Sequence, residues 1–502
     1  MTRSHRRGFL ATSTIGGLAI ADLIGRLPAV TAEEASGAAG RVRLAEPIEP
    51  LVRLIETTPR EDLLERVAHR IRNGTSYQDV LAALLLAGVR NVQPRPSVGF
   101  KFHCVLVVNS CHLASMAGPD EDRWLPIFWG LDYFKRAQQD EASRSGWTMS
   151  PVDEPRVPDA NTAVERFRES MRRWDVELAD VATSGMVRTA SATQVFNEFA
   201  RYAARDYRSI GHKAIFLANA WRTLQVIGWE HAEPVMRSLA FALLNHTDEP
   251  NPSEHDLAPD RPWRENREHL ARIPALWLGG GADPAATASL IDTMRTASAL
   301  EAGAAATDIL EAGGSAQTVW DAVFVGSGEL LMRQPGIIGL HSLTTANAIH
   351  FLWENAADRQ LRKRLLLQAC SFVPMFRQSA RDRGQPADRS IERFRDLSGE
   401  SPAELAGIFQ DISGDTTRAA DGLYGYLRGG GDPTDFVDEA RRLIFLKGRD
   451  SHDYKFSSAV LEDYRRVSPA WRDQFLATTV FNLKGSRSAD NGLVERTRTA
   501  LA

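Results

Sequence analysis

Along most of the 502-residue chain, apolar positions recur three and four residues apart with Arg and Glu between them, as in 63–71, 162–181, 195–207, 235–244 and 358–372. That spacing lines the apolar side chains along one face of an α-helix. Strict alternation bounded by turn residues, the mark of a half-buried strand, is missing. The best strand candidate, 105–108, runs on into helical spacing. Pro and Gly cluster at 151–158, 250–262, 279–284, 384–402 and 429–433, which read as loops. The pattern predicts an all-α protein.

The helical pattern is partly duplicated. Gly74, Ser76, Gln78, Val80 and Ala83 match Gly313, Ser315, Gln317, Val319 and Ala322 at one common offset. Downstream, His103, Asn109 and His112 have the same spacing as His341, Asn347 and His350. Weaker copies of the plan precede His212 and His452. Such self-similarity predicts a helical repeat architecture of about four quasi-repeated units, each with a His-bearing helix. Two units fall in an N-terminal half, 41–245, and two in a C-terminal half, 285–502, with 246–284 as the loop between them. The loop carries His255 and follows His246, and reads as a solvated connector.

The first 40 residues follow a different rule. Ser4-His5-Arg6-Arg7-Gly8-Phe9-Leu10 has the paired arginines, aromatic and leucine of a twin-arginine export signal, followed by a weak apolar stretch and Val30-Thr31-Ala32 as a cleavage site. The expectation is a periplasmic or secreted protein exported already folded.

Composition adds limits. A quarter of the residues are charged, 43% are apolar and the formal charge is −4, too small to imply a nucleic-acid partner. After the signal no apolar run is long enough to span a membrane. The three cysteines, Cys104, Cys111 and Cys370, are an odd set. Seven helical residues separate Cys104 from Cys111 by about 10 Å along the axis, too far for a disulfide.

The candidate chemistry lies in the recurring polar residues. Nine helical residues place His112 about 180° from His103. Either His103 and His341 lie at or before a helix start, where Gly99 and Gly339 allow a turn, or only one His of each pair faces a site. His212 and Asn219 share a face, with Arg222 on its flank, and Lys455 lies one turn beyond His452 on the same side. Collected around one cavity, His103, His212, His341, His452 and Lys455 are candidate catalytic groups, acting as general acids or bases. Asn109, His112, Asn219, Arg222, Asn347 and His350 are candidate contacts to an oxygen-rich small organic substrate. The same four histidines are the candidate ligands of a metal, iron in particular, with an Asp or Glu to complete the set.

Gly339-Leu340-His341-Ser342-Leu343-Thr344-Thr345-Ala346-Asn347 resembles the leucine-histidine-x-valine-threonine helix of the questin oxidase-like family. Gly211-His212-Lys213-Ala214-Ile215-Phe216-Leu217 and His452-Asp453-Tyr454-Lys455-Phe456 resemble its other two His-bearing helices, in the same order. The resemblance spans residues 60 to 485 in spaced patches. It implies a helical oxidoreductase of Baeyer–Villiger type acting on anthraquinones and related polyketides.

Cofactor fingerprints narrow the choice. No glycine-rich turn after a strand marks a flavin or NAD site; the nearest approach, 323–328, reads as helix. Walker, HExxH and CxxC patterns are absent. Two functions follow from the sequence. One is an exported oxidoreductase that acts on a carbonyl or phenolic compound in a histidine-lined cavity and draws on a redox partner. The other is a non-catalytic helical repeat protein that binds a partner or ligand, its histidines fixing helix packing.

Overall fold

The computed structural model describes residues 42, 44, 45, 47–94, 99–397 and 404–502, with the side chains of 99–102 excluded. The segment 4–10, expected to be an export signal, lies outside the described residues. Among the described residues every regular element is helical and there is no strand. None of those helices is long and apolar enough to cross a membrane.

Local chemistry accounts for the helix boundaries. Gly74 and Gly313 both take a left-handed conformation (φ 95° and 93°), ending one helix, and Ser76 and Ser315 cap the next. The Ser76 hydroxyl accepts from Asp79 N and the Ser315 hydroxyl from Thr318 N. Gln78 and Gln317 then reach out of their helices and donate to Val226 O and Arg466 O, each 2.8 Å away, at the far ends of the His212 and His452 helices. The duplicated block does the same work twice.

Other boundaries depart from the periodicity. The segment 162–181 is two helices, Ala163–Arg173 and Val176–Thr189, because Trp174 turns left-handed (φ 56°) and Asp175 caps the second one. The loop 246–284 contains a helix, Arg261–His269, whose Trp263 and Asn266 are buried. The strand candidate 105–108 straddles a break at Val107 between helices Gly99–Leu106 and Val108–Ala117. Residues 323–328 lie buried within helix Ala316–Arg333 and form no nucleotide turn.

One large apolar core runs through the described chain, with a small satellite of Leu125, Phe445 and Val494. At its centre is the helix Ile337–Asn355, buried continuously from Ile338 to Leu352. It packs against helices Ala316–Arg333, Arg359–Arg381, His212–Ile227 and Ser451–Asp463. A helix apolar all round belongs inside a protein. Polar residues on it, His341, Asn347 and His350, are therefore buried and must find partners.

Candidate functional site

Four helices bring His103, His212, His341 and His452 into one cluster, the first three buried and His452 half-buried at its edge. Ring centroids lie 4.6 Å apart for His103 and His452, 4.6 Å for His212 and His341, 5.0 Å for His103 and His212, and 5.1 Å for His341 and His452. His103 and His341 are 6.4 Å apart. Lys455 joins them, its Nζ 2.9 Å from His103 Nδ1. All five residues proposed to carry the chemistry are in one place.

Backbone shape aims the rings. His212 opens its helix after three successive left-handed residues, Ser209, Ile210 and Gly211 (φ 54°, 46° and 82°). Left-handed backbone at Ser and at β-branched Ile is strained, and strain of this kind collects at functional sites. The turn carries Ser209 O to 2.5 Å from His212 Nδ1. His341 Nδ1 stands 2.6 Å from Ile337 O one turn back. The third ring, His452, places Nδ1 3.1 Å from Asp450 Oδ1, the carboxylate that also caps its helix.

These contacts fix two tautomers. A carbonyl oxygen only accepts, so Nδ1 of both His212 and His341 carries a proton and donates it. Each neutral ring then has a lone pair on Nε2. Those two Nε2 atoms face each other at 3.2 Å. Two buried acceptors that close repel unless a proton or a cation lies between them. His452 Nε2 is also buried without a hydrogen-bond partner.

Electrostatics disfavour a proton as the guest. Burial, followed by the neighbouring Lys455 and the other rings, pushes the His103 and His212 imidazoles well below their ordinary value; for His341 burial is followed by His212 and then Lys455. Burial also lowers His452, against the pull of Asp450. Lys455 is fully enclosed and burial brings its ammonium down to about 7. The centre is a set of neutral nitrogen donors beside an amine that can be charged or neutral near pH 7.

A separation of 3.2 Å fits two imidazole nitrogens on one ion, with an angle of about 100° at metal–nitrogen bonds of about 2.1 Å. Three of the four rings also have Nδ1 held by an oxygen, the second-layer support that metal-bound histidines receive. Among the described residues, no group of three or more His, Cys, Asp or Glu side chains stands as a complete metal-binding set. The pair has ligand spacing; His103 and His452 must turn their rings to complete it. The expected Asp or Glu ligand is not there, since the adjacent carboxylate, Asp450, is engaged with His452 Nδ1.

The residues expected to contact substrate divide into two groups. Asn219 donates to Leu106 O at 2.9 Å, taking up a carbonyl freed by the break at Val107, and receives Asn109 Nδ2 at 3.4 Å. Arg222 donates to Asn347 Oδ1 (3.2 Å) and Glu462 (2.9 Å), and Asn347 donates to Glu462 and Asp463, both at 2.8 Å. Asn219, Arg222, Asn347 and Lys455 line a narrow cleft next to the cluster, a cavity of only about 10 Å³, room for about one water.

His112 and His350 do not belong to the site. His112 Nδ1 pairs with Tyr77 Oη at 3.0 Å, and His350 lies edge-on to Trp320 with Glu354 3.4 Å from its Nδ1. Only one His of each duplicated pair faces the cluster. His341 sits in an unbroken helix, so the nine-residue spacing sends His350 to the opposite side.

Sequence reasoning missed several participants: Asp450, the strained turn at 209–211, Ser110, Ser458, Glu462 and Asp463. Glu462 was within reach, because it lies seven residues after Lys455 and so on the same helical face. The free, buried thiols Cys104, Cys111 and Cys370 take no part. Comparison with family models, curated proteins and solved structures finds no match for this chain.

Proposed function

We propose that the protein is an oxidoreductase of the questin oxidase type, acting on a carbonyl or phenolic organic compound at the His103, His212, His341 and His452 cluster. The observation that carries this reading is the pair of Nε2 lone pairs facing each other at 3.2 Å with both Nδ1 protons committed elsewhere. Such a pair is preorganised for a cation. His103 and His452 supply the remaining nitrogens by ring rotation, each ring lying within 5.1 Å of at least one of the pair. Iron held there would supply the redox chemistry that a closed-shell organic substrate needs to react with oxygen.

The chain's own residues prepare the substrate. Neutral Lys455 takes the proton of a phenol or of an enolisable carbonyl, leaving an electron-rich anion that is easier to oxidise, and the ammonium so formed stays beside it as its counter-charge. A group with a pKa of about 7 is matched to that exchange near neutral pH. Asn219, Arg222 and Asn347 meet polar substituents once the bonds among Arg222, Asn347 and Glu462 open to widen the cleft. A redox partner would deliver electrons, and the N-terminal signal would take the folded protein to the periplasm.

The test is oxygen uptake by purified protein supplied with ferrous iron and a hydroxylated anthraquinone, with product mass measured in parallel. Uptake with a product one or two oxygen atoms heavier is expected, lost in His341→Ala. A protein that consumes no oxygen with or without iron contradicts the oxidase reading and leaves a non-catalytic binding protein.

A further inference from the structure

A second, larger hollow adjoins the small cavity. It is a groove of about 360 Å³ between helices Val108–Ala117, Pro433–Lys447 and Ser451–Asp463. Its apolar walls include Leu113, Met116, Ile444 and Leu461. Leu113 and Met116 are among the few large apolar side chains exposed in the molecule, at 36% and 55%. Exposed apolar surface at a concave site points to a ligand or partner.

The groove leads toward the cluster. Ser458 borders both the groove and the small cavity that contains Lys455. The partition between them is thin and polar: Ser458 Oγ donates to Ser110 Oγ at 2.9 Å, and Glu462 holds Arg222 and Asn347. Hydroxyl rotation is enough to redirect that first bond to a ligand oxygen.

Charge says what sits at the outer end. Arg441 and Arg465 both line the groove, and burial, with the nearby Arg465 guanidinium and against the pull of Asp438, lowers Arg441 from its ordinary value. Arg441 has only Asp438, 3.6 Å away. Arg465 is exposed and has no ion pair or side-chain hydrogen bond among the described residues. Two converging guanidinium groups with one distant counter-charge are complementary to an anion. Glu462 on the same wall is already neutralised by Arg222 and Arg466.

We propose that this groove is the outer half of the substrate site and takes a flat, apolar organic acid. Its carboxylate or phenolate sits between Arg441 and Arg465, its ring body lies on Leu113, Met116 and Leu461, and its far end meets Ser458, behind which lies Lys455. The assignment rests on the reading of the cluster as a site for an organic substrate, and it names that substrate's class: an aromatic acid rather than a neutral quinone or a sugar.

The experiment titrates the full chain with anthracene-2-carboxylate and, in parallel, with the uncharged anthracene-2-carboxamide, following probe fluorescence. The acid is expected to bind about tenfold tighter than the amide, as a charged hydrogen bond to guanidinium requires. The R441Q/R465Q variant, altered only at groove-rim residues, loses that difference and keeps the affinity for the amide. Met116→Trp, which fills the groove, weakens both probes. Equal binding of acid and amide, or an acid affinity indifferent to R441Q/R465Q, overturns the proposal. So does sedimentation showing a dimer that Met116→Glu dissolves, which assigns the groove to a second copy of the chain. Binding as expected without oxygen uptake in the anthraquinone assay leaves the groove standing and removes the oxidase; oxygen uptake with acid and amide bound alike does the reverse.

Discussion

In the proposed reaction, Lys455 is the residue on which the chemistry turns. A lysine sealed among four imidazoles has no carboxylate of its own to repay its desolvation; Asp450, the nearest acid to favour its charge, is bonded to His452. A buried charge of this kind is retained for function more readily than for stability. Lys455→Met keeps the volume and removes the charge, so the fold should be held or slightly strengthened. Turnover should fall about 100-fold or more, since general-base catalysis is worth that much. Circular dichroism and the oxygen electrode together check both halves. Gly211 is the second such residue. Its φ is +82°, and a Cβ there would stand 2.0 Å from Thr345 Oγ1. Gly211→Ala should therefore destabilise by about 2–4 kcal/mol through both strain and overlap. The double variant with Thr345→Ala should recover only part of the overlap, because the Thr345 Cβ remains 2.8 Å away, and none of the strain, which urea melts will resolve.

At the scale of helices, the site depends on how each His-bearing helix begins and ends. Asn219 holds the end of the His103 helix through Leu106 O. Asn219→Leu strands that carbonyl in a buried place, at about 1–3 kcal/mol, and should loosen the His103 position so that KM and kcat both suffer. Hydrogen exchange should locate the loosening at 103–107 and nowhere else. Much of this level was legible in the sequence. The Gly74/Ser76/Gln78 and Gly313/Ser315/Gln317 blocks gave both the helix starts and their equivalence, because capping is local chemistry written in adjacent residues. The recurrence of His103, His212, His341 and His452 allowed their meeting and left it open, since no local rule brings together residues up to 349 positions apart. What stayed hidden was set by tertiary contact. Trp174 splits one periodic run into two helices through a left-handed turn that its residue type does not advertise. His112 and His350 share the spacing of the site pair yet face Tyr77 and Trp320, since which side of a fully apolar helix faces a cavity depends on its neighbours. The same holds for Arg222 and Asn347, expected as free substrate contacts and found tied to Glu462 and Asp463.

For the whole molecule the buried acid behind the cavity sets a pH dependence. Burial raises the Asp463 carboxyl to about 8, against the pull of Arg466 and Asn347. Unfolded, it titrates near 4. The folded state thus binds the proton more tightly, and the stability this contributes is full below about pH 4 and is lost as pH rises through about 8. Wild-type protein should melt lower at pH 9 than Asp463→Asn by a few degrees, and the gap should close by about pH 4. A gap that widens toward acid would contradict the assignment.

The central claim is that four helices from distant parts of the chain hold their histidines for one guest. Cobalt(II) titration of the purified full chain, followed by visible absorption, tests it directly, because imidazole coordination gives intense bands that aqueous cobalt lacks. The account predicts one ion per chain with a nitrogen-rich spectrum, abolished by His212→Ala and by His341→Ala and unaffected by His112→Ala or His350→Ala. A flat titration, or a spectrum that survives His341→Ala, would contradict it.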